Sequence, residues 1–372
     1  MSEELEFVDE SEVLTPELFN DVVVYGTDWT VETIFTQLSK GNIKLDPPFQ
    51  RRDAWKLDSK SRFIESLIFG VPVPQILLSV NNEGKFIVLD GKQRLGTLFD
   101  FLSNTFKLKN MVFDVNLEGA FFRDLEINFP NYYNQLCNNT IRTTVIKKYS
   151  DEKVLHQIFL RVNTGTSPLS PQELRKALHP GPFVDFANTF TMDCLQLQKL
   201  LGNDGPDNRM RDAELFVRAL GFHFFHKDYI GNMWSFLDKT CSALNKEWAE
   251  NETRIKDIAE EFKNAIDFTF DLFGDKDAFK VYTTNGFKKI RNRVIIDIML
   301  FYFMDSKVRK TLLKKKERVV SEFKILSVDD DFAKSLSSST NSFKSVRNRF
   351  NFWWDKLNDI APELNLTKPY RP

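Results

Sequence analysis

Asp90, Lys92 and Arg94 alternate along the stretch Asp90-Gly91-Lys92-Gln93-Arg94, where their types and spacing could do chemistry. A carboxylate can orient a divalent cation or a water, and an ammonium and a guanidinium can hold phosphate oxygens. Gly91 opens backbone conformations closed to other residues and lets a ligand come close. Phe86 to Leu89 is a short apolar run that reads as a buried strand. Leu95, Leu98, Phe99 and Leu102 recur at i, i+3, i+4 and i+7, one face of a helix. The polar residues therefore sit on a sharp strand-to-helix turn. Backbone N–H groups at a helix start lack partners within the helix, and the positive end of the helix dipole stands behind them. With Lys92 and Arg94 added, the turn is a candidate anion cradle. The plainer alternative is that Asp90 caps the helix and the basic residues are solvated. Arg94 falls outside the apolar helix face, so its removal is expected to leave folding largely intact.

Other polar groups could join the turn. Pro47 and Pro48 force an extended segment that leads to Gln50-Arg51 and Trp55. This segment reads either as a surface turn with Trp55 packed inward or as the polar arm of a pocket. Arg161 and Asn163 stand at a helix exit beside a polar loop that holds Gly165. Ser170-Pro171-Gln172-Glu173 has the capping-box spacing with proline at the first helical position, so Glu173 is expected to act as a cap.

The elements that must position these groups can be read in order. Val31, Ile34, Phe35 and Leu38 give a helix that ends near Gly41. A second helix, capped by Asp58 or Ser59, should bury Phe63, Ile64, Leu67 and Ile68 and stop at Gly70. Strands are expected at 75–80 and 85–89, within 106–115 and at 143–149. After Ser150 the pattern is helical almost throughout, with helices at 154–161, 209–225, 255–273, 286–304 and 350–357. Residues 327–342, rich in Ser and Asp, read as a flexible connection. The fold class expected is α+β: an acidic mobile stretch over 1–20, a small mixed domain over 21–150 and a mainly helical domain over 151–372.

Composition narrows the function classes. The 372 residues hold 51 basic and 52 acidic side chains, so no global field for nucleic acid is expected. Cys137, Cys194 and Cys241 are far apart and form no CxxC, which points to a reducing compartment and away from a zinc site. The acidic start does not fit a signal or transit peptide. The apolar run 294–304 contains Asp297 and is too short to span a bilayer. A cytoplasmic chain with no membrane partner is expected. The four histidines form no HExxH; His223 and His226 read as core or helix-face residues. No GxSxG, GxxxxGK[ST] or GxGxxG is present, so a serine hydrolase, a P-loop enzyme and a Rossmann dehydrogenase are unsupported. Arg211, Glu214 and Arg218 share one helix face, which reads as solvated or salt-bridged. Residues 307–318 hold seven basic side chains and one acid. Together with a later patch at Arg347 and Arg349, they read as a solubilising face or a nucleic-acid contact.

Four motifs, in order, resemble the N-terminal domain of GmrSD-type restriction endonucleases, whose hallmark is a DGQQR sequence. They are Pro48-Phe49-Gln50-Arg51 with Trp55; Ile68-Phe69-Gly70-Val71-Pro72-Val73-Pro74; Asp90-Gly91-Lys92-Gln93-Arg94; and Phe159-Leu160-Arg161-Val162-Asn163 followed by Gly165, Leu169 and Glu173-Leu174-Arg175. The resemblance implies a fold related to ParB and sulfiredoxin, in which a Gly-x-x-Arg turn binds nucleotide phosphates. It also implies binding or hydrolysis of a nucleoside triphosphate, with Mg2+, and a role in defence against foreign DNA. By position it assigns catalysis to Asp90, Gln93, Arg94, Gln50 and Arg51. It assigns nucleotide binding to Gly91, Lys92, Arg94, Arg161 and Asn163, and the Mg2+ to Asp90. Lys92 departs from the family glutamine; it could add a phosphate contact or disturb a hydrogen bond that hydrolysis needs. No histidine follows His226, so the HNH nuclease that often accompanies this domain is not expected here. The leading reading is a nucleoside-triphosphate-binding and hydrolysing regulatory protein of a phage-defence or modification-dependent restriction system. Its expected partners are DNA, a separate nuclease or defence subunit, and a second copy of itself. The alternatives are a DNA-binding or sensing module without turnover and a ParB-like nuclease.

Overall fold

The computed structural model describes residues 19–45, 55–81, 83–149, 154, 155, 158 and 170–370. The chain divides into two compact units, one running from Val13 to Leu178 and one from His179 to the C-terminal end. Of the acidic stretch 1–20, and of the helix expected at 154–161, most residues lie outside those described.

The first unit is built from β1 (Val23–Thr30), α1 (Val31–Ser39), α2 (Leu57–Ile68), β2 (Ile76–Val80), β3 (Phe86–Asp90), α3 (Lys92–Leu102), α4 (Phe122–Asn128), α5 (Pro130–Asn138), β4 (Thr140–Lys148) and α6 (Pro171–Leu178). The sheet order is β1-β4-β2-β3. β4 runs antiparallel to β1 and parallel to β2, and β2 and β3 form an antiparallel hairpin. A mixed sheet with helices packed on it is α+β. Ile76 and Leu78 in β2 and Val88 in β3 are buried against Ile64 and Leu67 of α2 and Leu95, Leu98 and Phe101 of α3, all in one core. Burial of Ile87, Val88 and Leu89 on both faces of β3 explains why residues 86–89 read as a continuous apolar run rather than an alternating one. The α2 face of Phe63, Ile64, Leu67 and Ile68 is buried as its spacing requires, and Gly70 follows at φ +69. The helix starts at Leu57, with Lys56 in the cap position, rather than at a cap formed by Asp58 or Ser59.

Two features of this unit differ from the expectation. β1 gives no periodic signal, because it is an edge strand whose Val23, Val24 and Tyr25 all stay exposed. No strand forms within 106–115. There Glu65, buried at 2% exposure, accepts the backbone N–H groups of Val112 and Phe113 at 2.7 and 2.6 Å. A carboxylate thus takes the donors that a sheet ladder would have used, and Val112, Phe113 and Val115 remain exposed.

The second unit is mainly helical: α7 (Pro182–Met192), α8 (Leu195–Leu201), α9 (Arg211–Phe225), α10 (Met233–Lys246), α11 (Trp248–Phe273), then a hairpin of β5 (Lys280–Thr283) and β6 (Gly286–Arg291), α12 (Arg293–Phe303), α13 (Ser306–Leu313), α14 (Lys316–Ser327), α15 (Asp330–Ser337) and α16 (Phe343–Ile360). The hairpin replaces the first part of the helix expected at 286–304. Asn292 then restarts the helix by accepting the N–H groups of Val294 and Ile295. Nor are residues 327–342 a bare connection: α15 forms there, capped by the Asp329 side chain, with Phe332 and Leu336 buried.

The core of this unit is aromatic, with Phe216, Phe222, Phe262, Phe350 and Trp353 fully buried. It also contains charge. The row on α9 is salt-bridged rather than solvated: Arg211 pairs with Asp207 at 2.7 Å, Glu214 with Arg293 at 3.0 Å and Arg218 with Asp297 at 2.5 Å. Arg349, expected in a surface basic patch, is fully buried, and its Nη1 donates to the backbone oxygens of Ser335 and Thr340. Within 307–318, Arg309, Lys315 and Arg318 donate to backbone oxygens at the ends of α12 and α16, so part of that basic run closes helix ends. The His226 ring packs edge-on against Phe301 and Tyr370. Burial lowers the pKa of both His223 and His226, as suits neutral rings packed among aromatics. Cys137, Cys194 and Cys241 form no disulfide and are buried. Among the described residues no helix is long and apolar enough to cross a membrane.

Candidate functional site

β3 ends at Asp90 and α3 begins at Lys92, so the whole turn rests on Gly91. Its φ is +99° and ψ 11°, a left-handed conformation that a side chain resists. Space adds to the demand: a Cβ there would lie 3.1 Å from Ile76 Cγ1 and 3.3 Å from Arg94 Nη2. Gly91→Ala is expected to lower the unfolding free energy of this unit by about 1–2 kcal/mol from the backbone alone. A denaturant midpoint equal to that of the wild type would show that the turn relaxes without cost.

Asp90 does not cap α3. Gly91 is the N-cap residue, and it has no side chain with which to cap the helix. The Asp90 carboxylate instead accepts from Arg94 Nη2 at 2.7 Å, an i,i+4 pair that folds the guanidinium back over the turn. Arg94 is therefore buried at 8% exposure, which corrects the expectation that it stands clear of the packing. The Asp90 side chain keeps 31% exposure, so its carboxylate still meets solvent.

Gln93 faces the end of the proline-rich arm. Its Oε1 accepts the backbone N–H of Trp55 at 3.1 Å, and the Trp55 ring packs edge-on against Phe63 at 5.6 Å. The arm's exit is thus tied to both the turn and α2. Lys92 faces α6, with its Nζ 3.6 Å from Glu173 Oε1. Glu173 is the cap that its spacing implies: its Oε2 accepts the Ser170 N–H at 2.7 Å, and its own N–H donates to Ser170 Oγ at 3.1 Å. It serves the cap and the turn at once. The second role does not show in the sequence, because local spacing reveals a capping box but not which element the helix lies against. Nearby on α6, Arg175 Nη1 donates to Gln172 Oε1 at 2.6 Å, with both side chains buried.

The structure thus brings together Asp90, Gly91, Lys92, Gln93 and Arg94, and adds Glu173. Gln50, Arg51, Arg161 and Asn163 lie outside the described residues. Among the described residues no group of three or more His, Cys, Asp or Glu could hold a metal ion. Mg2+, however, commonly takes one or two carboxylates and completes its shell with phosphate and water. The partly exposed Asp90 carboxylate fits that use.

Among curated proteins none matches the chain. Residues 31–180 match the family described as GmrSD restriction endonuclease, N-terminal domain, a span that contains the turn, its flanking hairpin and α6. This stretch of the chain is therefore similar to the N-terminal domain of GmrSD restriction endonucleases, which relates the protein to restriction systems.

Proposed function

We propose that the unit from Val13 to Leu178 binds a nucleoside triphosphate at the Asp90–Arg94 turn and hydrolyses it, as the regulatory part of a phage-defence or modification-dependent restriction system. The observation that carries this is the form of the turn. α3 starts on a left-handed glycine, which has no side chain to cap the helix, and two cations stand on its first turn. Phosphate oxygens would accept from the first-turn N–H groups, from Lys92 and from the Arg94 guanidinium. Asp90, which orients Arg94 through their 2.7 Å bond, would also hold the Mg2+ that comes with the nucleotide. That ion would supply charge neutralisation of the phosphates. Gln93, bonded to the Trp55 backbone, would position the arm. The resemblance assigns Gln50, Arg51, Arg161 and Asn163 to the same site. DNA, a separate nuclease or defence subunit, and self-association are part of the proposal as partners, and the cytoplasm as its location.

Isothermal titration with ATP, GTP, CTP and UTP in MgCl2, alongside phosphate release, tests this reading. At least one nucleotide should bind and turn over. Asp90→Ala should reduce turnover much more than affinity, as expected of a group that acts mainly in the transition state. Failure of all four to bind would remove the proposal.

A further inference from the structure

Both cations of the turn face a carboxylate before any ligand arrives. Arg94 Nη2 lies 2.7 Å from Asp90 Oδ2, and Lys92 Nζ lies 3.6 Å from Glu173 Oε1. Among these four side chains the charges cancel, so an incoming anion must compete with a carboxylate already in place. The two carboxylates differ in their freedom to leave. Asp90 is 31% exposed and can take up water when Arg94 turns to a ligand. Glu173 is 10% exposed, and its other oxygen is bound to the Ser170 N–H at 2.7 Å. The capping box of α6 thus fixes it in place beside Lys92.

We propose that Glu173 is a specificity-determining residue of this site: a built-in competitor that sets how much negative charge a ligand must carry to engage Lys92. The inference rests on the reading of the turn as a phosphate site. A monophosphate that exchanges with one carboxylate for one ammonium gains little. A triphosphate offers oxygens to Lys92, to Arg94 and to the helix start together, and its first contact raises the effective concentration of the rest. Discrimination between triphosphate and monophosphate then follows from electrostatic competition and needs no contact to the base.

The cap and the competing charge can be separated. Glu173→Gln keeps a side-chain carbonyl for the Ser170 N–H, since glutamine serves at this capping position, and removes the charge. A double-mutant cycle with Lys92→Gln then isolates the pair. The measurement is isothermal titration of ATP, ADP and AMP, and of GTP, GDP and GMP, in MgCl2 on the wild type, both single variants and the double variant, with a melting curve for each. Glu173→Gln should tighten monophosphate binding about three- to tenfold, the scale of a partly buried ion pair. Triphosphate binding should tighten less, so the ratio between the two should narrow, and in the Lys92→Gln background the substitution should change neither. An unchanged ratio in Glu173→Gln, with the wild type binding triphosphate, would overturn this inference and leave the phosphate site standing. The same shift with and without Lys92 would assign the effect to the cap and overturn it equally. A wild type that binds none of these nucleotides would overturn both.

Discussion

Asp297→Ala is expected to be the most damaging single substitution in the unit that starts at His179, and worse than Arg218→Ala at the other end of the same ion pair. Arg218 donates from Nε and Nη2 to the two Asp297 oxygens at 3.0 and 2.5 Å, and the two side chains are 1% and 2% exposed. Removal of one partner of such a pair strands buried charge and costs about 3–5 kcal/mol. The asymmetry comes from Arg349, which is fully buried and senses the Asp297 charge. Burial lowers its pKa to about 10, against the opposing pull of Asp297. Asp297 therefore pairs with one buried guanidinium and favours the charge of a second. Its loss strands Arg218 and removes a favourable charge from Arg349, whereas loss of Arg218 leaves that charge in place. Urea unfolding followed by circular dichroism should place the Asp297→Ala midpoint clearly below that of Arg218→Ala. Equal midpoints would show that Arg349 does not sense the carboxylate. Replacement of both partners by Met and Leu should recover only the part of the loss that comes from Arg218, because a buried pair is often no better than a well-packed apolar one while Arg349 still lacks the Asp297 charge.

Arg94→Ala should have the largest effect on the candidate site. A charge-assisted hydrogen bond to phosphate contributes about 1.5–3 kcal/mol, so nucleotide affinity should fall roughly ten- to a hundredfold. Burial of Arg94 adds a second effect that its place in the helix pattern does not suggest. The guanidinium packs against Gly91 and holds Asp90, so its loss should also lower stability, by about 1–2 kcal/mol, because the released carboxylate can rehydrate. Titration should therefore be done well below the melting temperature of the variant. Arg94→Lys keeps the charge but not the planar fork, and should restore part of the affinity and little of the geometry. Equal affinity in wild type and folded Arg94→Ala would mean that the phosphates do not meet this side chain.

The contrast between Arg94 and Leu98 shows what local pattern can reveal. Leu95, Leu98 and Leu102 are buried as their spacing requires, because one helix face against a sheet is a local property. Arg94 is buried for a different reason: the left-handed turn at Gly91 brings it back onto Asp90. Position in the periodic pattern therefore argues for exposure where the turn imposes the opposite. Glu173 illustrates the next level. Its capping role is written within four residues, but its place beside Lys92 depends on how α6 lies against β3, which no local spacing encodes. β1 leaves no trace in the pattern for want of a buried face, and Arg349 reads as a surface cation because its partners are backbone oxygens that leave no mark in composition.

The buried cysteines have a practical bearing on these experiments. Burial raises the thiol pKa of Cys137 and of Cys194, and the Cys241 side chain is also shut away from solvent. Thiol reagents attack through the exposed thiolate, which such positions supply poorly. A single cysteine engineered at an exposed site, such as Lys44 beside the hairpin that leads to the turn, would thus carry a maleimide dye almost alone in the folded protein. The native chain would serve as its own unlabelled control, and fluorescence could follow nucleotide arrival without any of the natural thiols being replaced.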